Sequence, residues 1–172
     1  IIEDIAKVPT ANTEAYEYYL RAHYIFHKRE TMEDIEIAGG LIDKAIALDD
    51  SLLIAKRLLG NLYKEIGELD KAMDIYTFLL EQVEEINNLH FSGLVLQDIG
   101  IIHSNQGENE KALDAFTRAY KIFEKNGNKS DMGSALMGIG KYYSDTGDYN
   151  KAMDCFLKRV EIGKELSDKQ DL

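Results

Sequence analysis

The sequence predicts an all-α protein: a right-handed α-solenoid of about four helix-turn-helix units, about eight helices in all. Three observations carry that expectation. Gly60, Gly100 and Gly140 stand forty residues apart, and so do Gly67, Gly107 and Gly147. Apolar residues recur at spacings of three and four, from Leu53 to Ile66 and again from Leu69 to Val83, the period of a helix with one buried face. Thirteen glycines accompany a single proline, Pro9, so loops are few and short and the glycines serve another purpose.

Taken in order, residues 1–12 form a lead-in and residues 13–52 a divergent first unit. Its first helix runs from Thr13 to His27, and the stretch Lys28 to Glu33 predicts a loop longer than in the other units. Thr31 is placed to cap the next helix, in which Ala38, Ile42, Ala45 and Asp50 hold the periodic places. Units 53–92, 93–132 and 133–172 follow, and the four make one continuous domain.

Within these units each column has a physical task. A glycine inside a helix costs about 1 kcal/mol against alanine, so Gly60, Gly100 and Gly140 mark close approach of a neighbouring helix. The column Ala72, Ala112 and Ala152 is expected to receive that approach. Gly67, Gly107 and Gly147 follow the last turn of each first helix, where a left-handed residue closes the end. Tyr76, Phe116 and Phe156 fill the space between paired helices, while Asp74, Asp114 and Asp154 form a solvated column.

The residues Leu59-Gly60-x-x-Tyr63, Gly67, Ala72 and Tyr76, with their equivalents at 99–116 and 139–156, resemble the tetratricopeptide repeat pattern. The usual repeat is about 34 residues long, and the extra residues here are expected to lengthen the second helix and its exit, as at Glu84 to Asn88 and Lys125 to Asn128. His103 departs from the usual tyrosine, which implies a packing role, and Arg159 sits where a small residue is common. The segment from Pro9-Thr10-Ala11-Asn12 through Tyr16-Glu17-Tyr18-Tyr19-Leu20-Arg21-Ala22, then Tyr24 to Arg29, resembles the opening of tetratricopeptide regions in bacterial signalling proteins. In that family the upstream module is an adenylate or guanylate cyclase, a serine/threonine kinase or a winged-helix regulator. The chain begins Ile1-Ile2-Glu3, as a piece of a longer protein would.

Composition narrows the partner. With 31 acidic and 20 basic side chains the formal charge is −11, which repels phosphate backbones and anionic lipid. A protein or peptide is the expected partner, with no direct nucleic acid and no membrane. One cysteine, Cys155, cannot form an internal disulfide, and a reducing cytoplasm is the expected location.

No catalytic constellation stands out, so this fragment is not expected to be an enzyme. Gly138-Ile139-Gly140-Lys141 resembles a phosphate loop in part, but the full glycine, lysine and hydroxyl spacing is absent. His23 and His27, one helical turn apart, lack a third ligand, and neither metal nor cofactor is expected.

What remains is surface. In repeats of this kind the first helices line a concave groove that stacked units present as one face. The groove residues expected on that basis are Tyr16, Tyr19, His23 and Phe26 from the first unit, and Arg57, Asn61 and Lys64 from the second. Gln97, Ile101 and Asn105 follow from the third, and Met137 and Lys141 from the fourth. The function expected is non-catalytic protein–protein interaction: a peptide or protein segment bound in the groove, in a regulatory or scaffolding part of a larger bacterial signalling protein. The alternative is a self-association module that oligomerises an attached cyclase, kinase or DNA-binding domain, through an uncapped helix ending at Leu166 to Leu172.

Overall fold

The structure is a computed structural model that describes residues 10–168. Among these residues are eight α-helices and no strand: α1 (Thr13–Lys28), α2 (Met32–Leu48), α3 (Leu53–Glu65), α4 (Leu69–Glu85), α5 (Leu89–Asn105), α6 (Asn109–Asn126), α7 (Lys129–Asp145) and α8 (Tyr149–Asp168). This is the all-α architecture of helix-turn-helix pairs that the forty-residue columns predict. Residues 1–9 of the lead-in, with Pro9, and residues 169–172 of the last unit lie outside the described residues. The chain divides into two compact units, Ile1–Ile75 and Tyr76–Leu172, with the boundary inside α4.

In the first unit α1 and α2 fold back on one another, and α3 packs against them. Ala22, Phe26, Ile35, Ala38, Leu41 and Ile42 bury together with Leu58 and Leu62 of α3. The turn between α1 and α2 is Arg29 to Thr31, no longer than the other intra-pair turns, which corrects the long loop expected at Lys28 to Glu33. Local hydrogen bonding explains the short turn. Thr31 Oγ1 accepts from the Asp34 amide at 3.2 Å, and the Asp34 carboxylate accepts from the Thr31 amide at 2.9 Å, a capping box that starts α2 at once. These donors hold the Asp34 carboxyl below its usual range, the amide of Glu30 contributing most and Thr31 next.

In the second unit the first helices begin before the expected boundaries at 93 and 133. Asn88 and Asn128 accept from the amides of Phe91 and Asp131, each at 3.2 Å, and cap helices that open at Leu89 and Lys129. The surplus over the usual repeat therefore lengthens the first helices as well as the second: α5 and α7 have 17 residues against 13 in α3.

Gly67, Gly107 and Gly147 have φ of 83°, 76° and 82°, so the predicted stop column does close the first helices in a left-handed turn. Gly100 and Gly140 do mark a close approach, as expected, but the alanine column does not make it. A Cβ on Gly100 would lie 2.8 Å from Phe116, and one on Gly140 would lie 2.6 Å from Phe156. Aromatic rings, not the alanine column, occupy the space the missing side chains leave. Gly138 of α7 is also pressed against Phe116 of α6, where a Cβ would lie 2.6 Å from the ring, so the glycines that resemble a phosphate loop are explained by the packing of α7 on α6.

His103 stands at the expected semi-buried place, with an added polar task. Its Nδ1 lies 2.5 Å from Glu108 Oε2, across the Gly107 turn, and Lys111 donates to the other oxygen at 2.8 Å. In the same column Tyr63 and Tyr143 instead carry Lys71 and Lys151 over their rings, at 5.4 and 5.0 Å.

Candidate interaction faces

On α1 a line of rings runs along one side. Tyr16 and Tyr19 stack with centroids 5.9 Å apart, Tyr19 and His23 follow at 5.7 Å, and His23 and His27 stack at 4.0 Å. At about 100° per residue, His27 lies roughly 20° from the direction of Tyr16, whereas Phe26 lies roughly 80° away on the other side. That difference decides their fates. Phe26 is 7% exposed in the core with the Arg29 guanidinium 4.3 Å above its ring, which removes it from the predicted groove surface. His27 takes the place given to Phe26, and its four-residue spacing from His23 is the signal that points to it.

Beside this line, α3 presents Arg57 and Asn61, one turn apart. Tyr19, His23 and His27 of α1 and Ile54, Arg57, Leu58 and Asn61 of α3 enclose a cavity of about 210 Å³. Lys64 Nζ donates to Asn61 Oδ1 at 2.8 Å, which orients the amide. Glu65, at the end of α3, pairs with Arg29 at 2.6 Å and ties the far ends of α1 and α3 together. Burial raises the Tyr19 phenol above its ordinary value, Tyr16 adds to that and Arg57 opposes it. Burial lowers the His23 imidazole, and His27 lowers it further. His27 Nδ1 faces the His23 carbonyl at 2.9 Å and therefore donates to it. Among the described residues no three His, Cys, Asp or Glu side chains converge on a metal position.

In the second unit the predicted residues fall on α5 and α7. Gln97 is half-buried and its Nε2 donates to the Asp131 carbonyl at 3.4 Å, so it links α5 to the first turn of α7. Ile101 and Met137 are exposed large apolar side chains, at 38% and 43%, and Asn105 is exposed as well. Lys141 pairs with Asp145 on its own helix at 2.6 Å. Asp98 is 4% exposed and lies inside the fold.

A sequence model of the tetratricopeptide repeat matches residues 50–125 and again residues 91–165, together well over half of the chain. No curated protein matches it. Among solved structures, BtubC from P. vanneervenii is 18% identical with a TM-score of 0.75, over 89% of this chain and 64% of that one. Aspartyl phosphate phosphatase F from Bacillus subtilis is 17% identical with a TM-score of 0.81, over 91% and 42%. A Rap protein complexed with Competence and Sporulation Factor is 15% identical with a TM-score of 0.73, over 93% and 57%. The chain spans less than two thirds of the length of each, and at these identities the likeness is one of fold. The matched residues, the forty-residue columns and the helix pairs agree, and the chain belongs to the tetratricopeptide repeat family.

Proposed function

We propose that the face of α1 and α3 binds a peptide segment of another protein, and that the chain serves as a non-catalytic regulatory or scaffolding part of a larger bacterial signalling protein. The observation that carries this reading is the cavity under the Tyr19, His23 and His27 rings, with Arg57 and Asn61 on its other wall. Stacked rings give flat apolar contact at small entropic cost, and the amide and guanidinium offer hydrogen bonds to a peptide backbone or carboxylate. The wall holds cationic and neutral donors on a chain of charge −11, so an acidic or uncharged segment meets no repulsion there. A solved protein of the same fold, described as a Rap protein complexed with Competence and Sporulation Factor, gives a precedent for partner binding on this architecture.

The test is selection of displayed peptides on the folded chain, followed by titration of an enriched peptide. Arg57→Ala with Asn61→Ala is expected to weaken binding at least about tenfold, with helical content unchanged. Enriched peptides that bind the double variant as well as the parent would overturn the assignment. A sedimentation coefficient that rises with concentration, without any added peptide, would favour the self-association alternative instead.

A further inference from the structure

A hollow inside the second unit carries a site of another kind. We infer that the space between the C-terminal half of α4, α5 and α6 binds a small phenol, a single aromatic ring bearing one hydroxyl.

The hollow measures about 430 Å³, with Leu80 of α4, Leu96, Ile99 and His103 of α5, and Ala115 and Arg118 of α6 on its walls. Forty residues later the chain repeats the arrangement with larger side chains. Tyr120 stands for Leu80 and Tyr143 for His103, whereas Leu136 and Ile139 repeat the apolar floor unchanged. Both of those rings pack on the core of Ala112, Phe116 and Ile139, with Cys155 beside them. Where the later pair has two phenol rings, the earlier one has a leucine and an imidazole, and the imidazole turns its Nδ1 to Glu108. Apolar space left in this way forfeits packing until a ring enters it.

The polar rim selects the ring. In the later pair the Tyr120 hydroxyl donates to Glu124 Oε1 at 2.8 Å and accepts from Lys158 Nζ, and those two charges stand 3.9 Å apart. Lys158 Nζ also lies 4.8 Å from the centroid of the same ring. The counterparts of Glu124 and Lys158 are Glu84 and Arg118. They too stand 3.9 Å apart, beyond direct hydrogen-bonding distance, but position 80 is a leucine and brings no hydroxyl to them. Acceptor, donor and cation are thus set out as they are around a phenol. Asp114, 3.7 Å from Arg118, helps to balance the guanidinium, so the ligand need bring no charge of its own. The later pair keeps its own phenol neutral: burial raises Tyr120 above its ordinary value, and Glu124 adds to the shift against Lys158.

A free molecule suits this hollow better than a side chain of a partner protein. At the rim Lys111 is matched by Glu108, and Glu110 accepts from the Tyr142 hydroxyl. A protein surface laid over these groups would strip them of water, whereas one ring passes between them to the apolar floor.

The test is an NMR titration of the full chain with 4-methylphenol, the tyrosine side chain as a free molecule, read at the methyl groups of Leu80, Leu96 and Ile99. Saturable shifts are expected, and toluene, which lacks the hydroxyl, is expected to bind at least about fivefold more weakly. Leu80→Tyr supplies the ring from within and is expected to abolish the shifts at Leu96 and Ile99. Glu84→Leu with Arg118→Leu changes side chains that are 57% and 50% exposed, and is expected to remove the preference over toluene while the fold is kept. No saturable shift in the parent overturns the inference. Shifts that persist in Leu80→Tyr, or a preference over toluene that survives the double substitution, overturn it as well. Tighter binding of glycyl-tyrosyl-glycine than of 4-methylphenol would make a partner's tyrosine the occupant and overturn the assignment to a free phenol.

Discussion

The ring of Phe116 rests on the backbone of Gly100 so closely that a Cβ there would lie 2.8 Å from it, and Gly138 meets the same ring from α7 at 2.6 Å. One side chain therefore needs two glycines on two helices. Gly100→Ala is expected to destabilise the protein by about 1–3 kcal/mol through overpacking, despite the roughly 1 kcal/mol that alanine gains in helix propensity. Phe116→Ala is expected to cost about 3–5 kcal/mol. Combined, the two should cost less than their sum, because the ring that collides with the new methyl is gone. Urea unfolding of the two single variants and the double variant checks this. Gly40→Ala is the control: nothing lies within 4 Å of a Cβ there, and a gain of about 0.5–1 kcal/mol is expected.

Gly107→Ala should behave differently from Gly100→Ala. No atom lies within 4 Å of its Cβ position, yet φ is 76°, so the cost is backbone strain of about 1–2 kcal/mol. A companion Phe116→Ala should leave that cost unchanged, which separates strain from crowding in the same unfolding experiment.

Thr31→Ala removes one half of the capping box at the start of α2 and is expected to cost about 0.5–2 kcal/mol by thermal unfolding. The pH dependence has a definite sign. Hydrogen bonds from Glu30 and Thr31 lower the folded-state value of the Asp34 carboxyl, so its contribution is fully present above the ordinary carboxylate value and is lost as pH falls through the lowered one. Comparing melting temperatures of the parent and Asp34→Asn between pH 3 and 7 should show the difference shrinking toward acid.

His23 titrates in the opposite sense to a histidine that has gained a carboxylate. Burial and the neighbouring His27 lower it, so the neutral ring is the folded form and its stabilisation is complete above the ordinary imidazole value. Acidification through the ordinary value toward the lowered folded one removes that contribution. An NMR titration of the His23 ring should give a midpoint below that of a histidine in a disordered peptide, and His27→Ala should raise it.

Cys155 is half-buried, and burial raises its thiol above the ordinary value, with Asp154 adding to the shift. Alkylation by iodoacetamide at neutral pH is expected to be slower than for a free cysteine peptide. Denaturant should restore the free-peptide rate.

The glycine stops and the Thr31 cap were legible from the sequence because their causes are local. The positive φ at Gly107 and Gly147 and the cap at Thr31 depend on residues a few positions away, whereas Asn88 and Asn128, read as exit loops, turn out to cap α5 and α7. The forty-residue columns add the identity of the family, since a repeat must present the same residues to each neighbour. Even so, the glycine column alone suggested the wrong guest. Only packing shows that Gly140 takes Phe156 instead of an alanine, because the choice depends on how a second helix leans across the first.

The candidate site divides in the same way. Arg57, Asn61, Tyr19 and His23 were found by helical spacing, which determines which residues share one side of a helix. It does not determine which side of that stripe turns inward. Phe26 and His27 are adjacent in sequence and both sit near the stripe's edge, but α2 and α3 offer Phe26 a core of Ile35, Leu58 and Leu62 and leave His27 exposed against the cavity. By itself, then, the sequence determined the forty-residue repeats, their helix pairs and the glycine stops of the first helices. The tertiary structure alone decided which aromatic ring Gly100 and Gly140 receive and which ring of α1 lines the cavity, because each of these depends on the shape of a surface assembled from segments far apart in the chain.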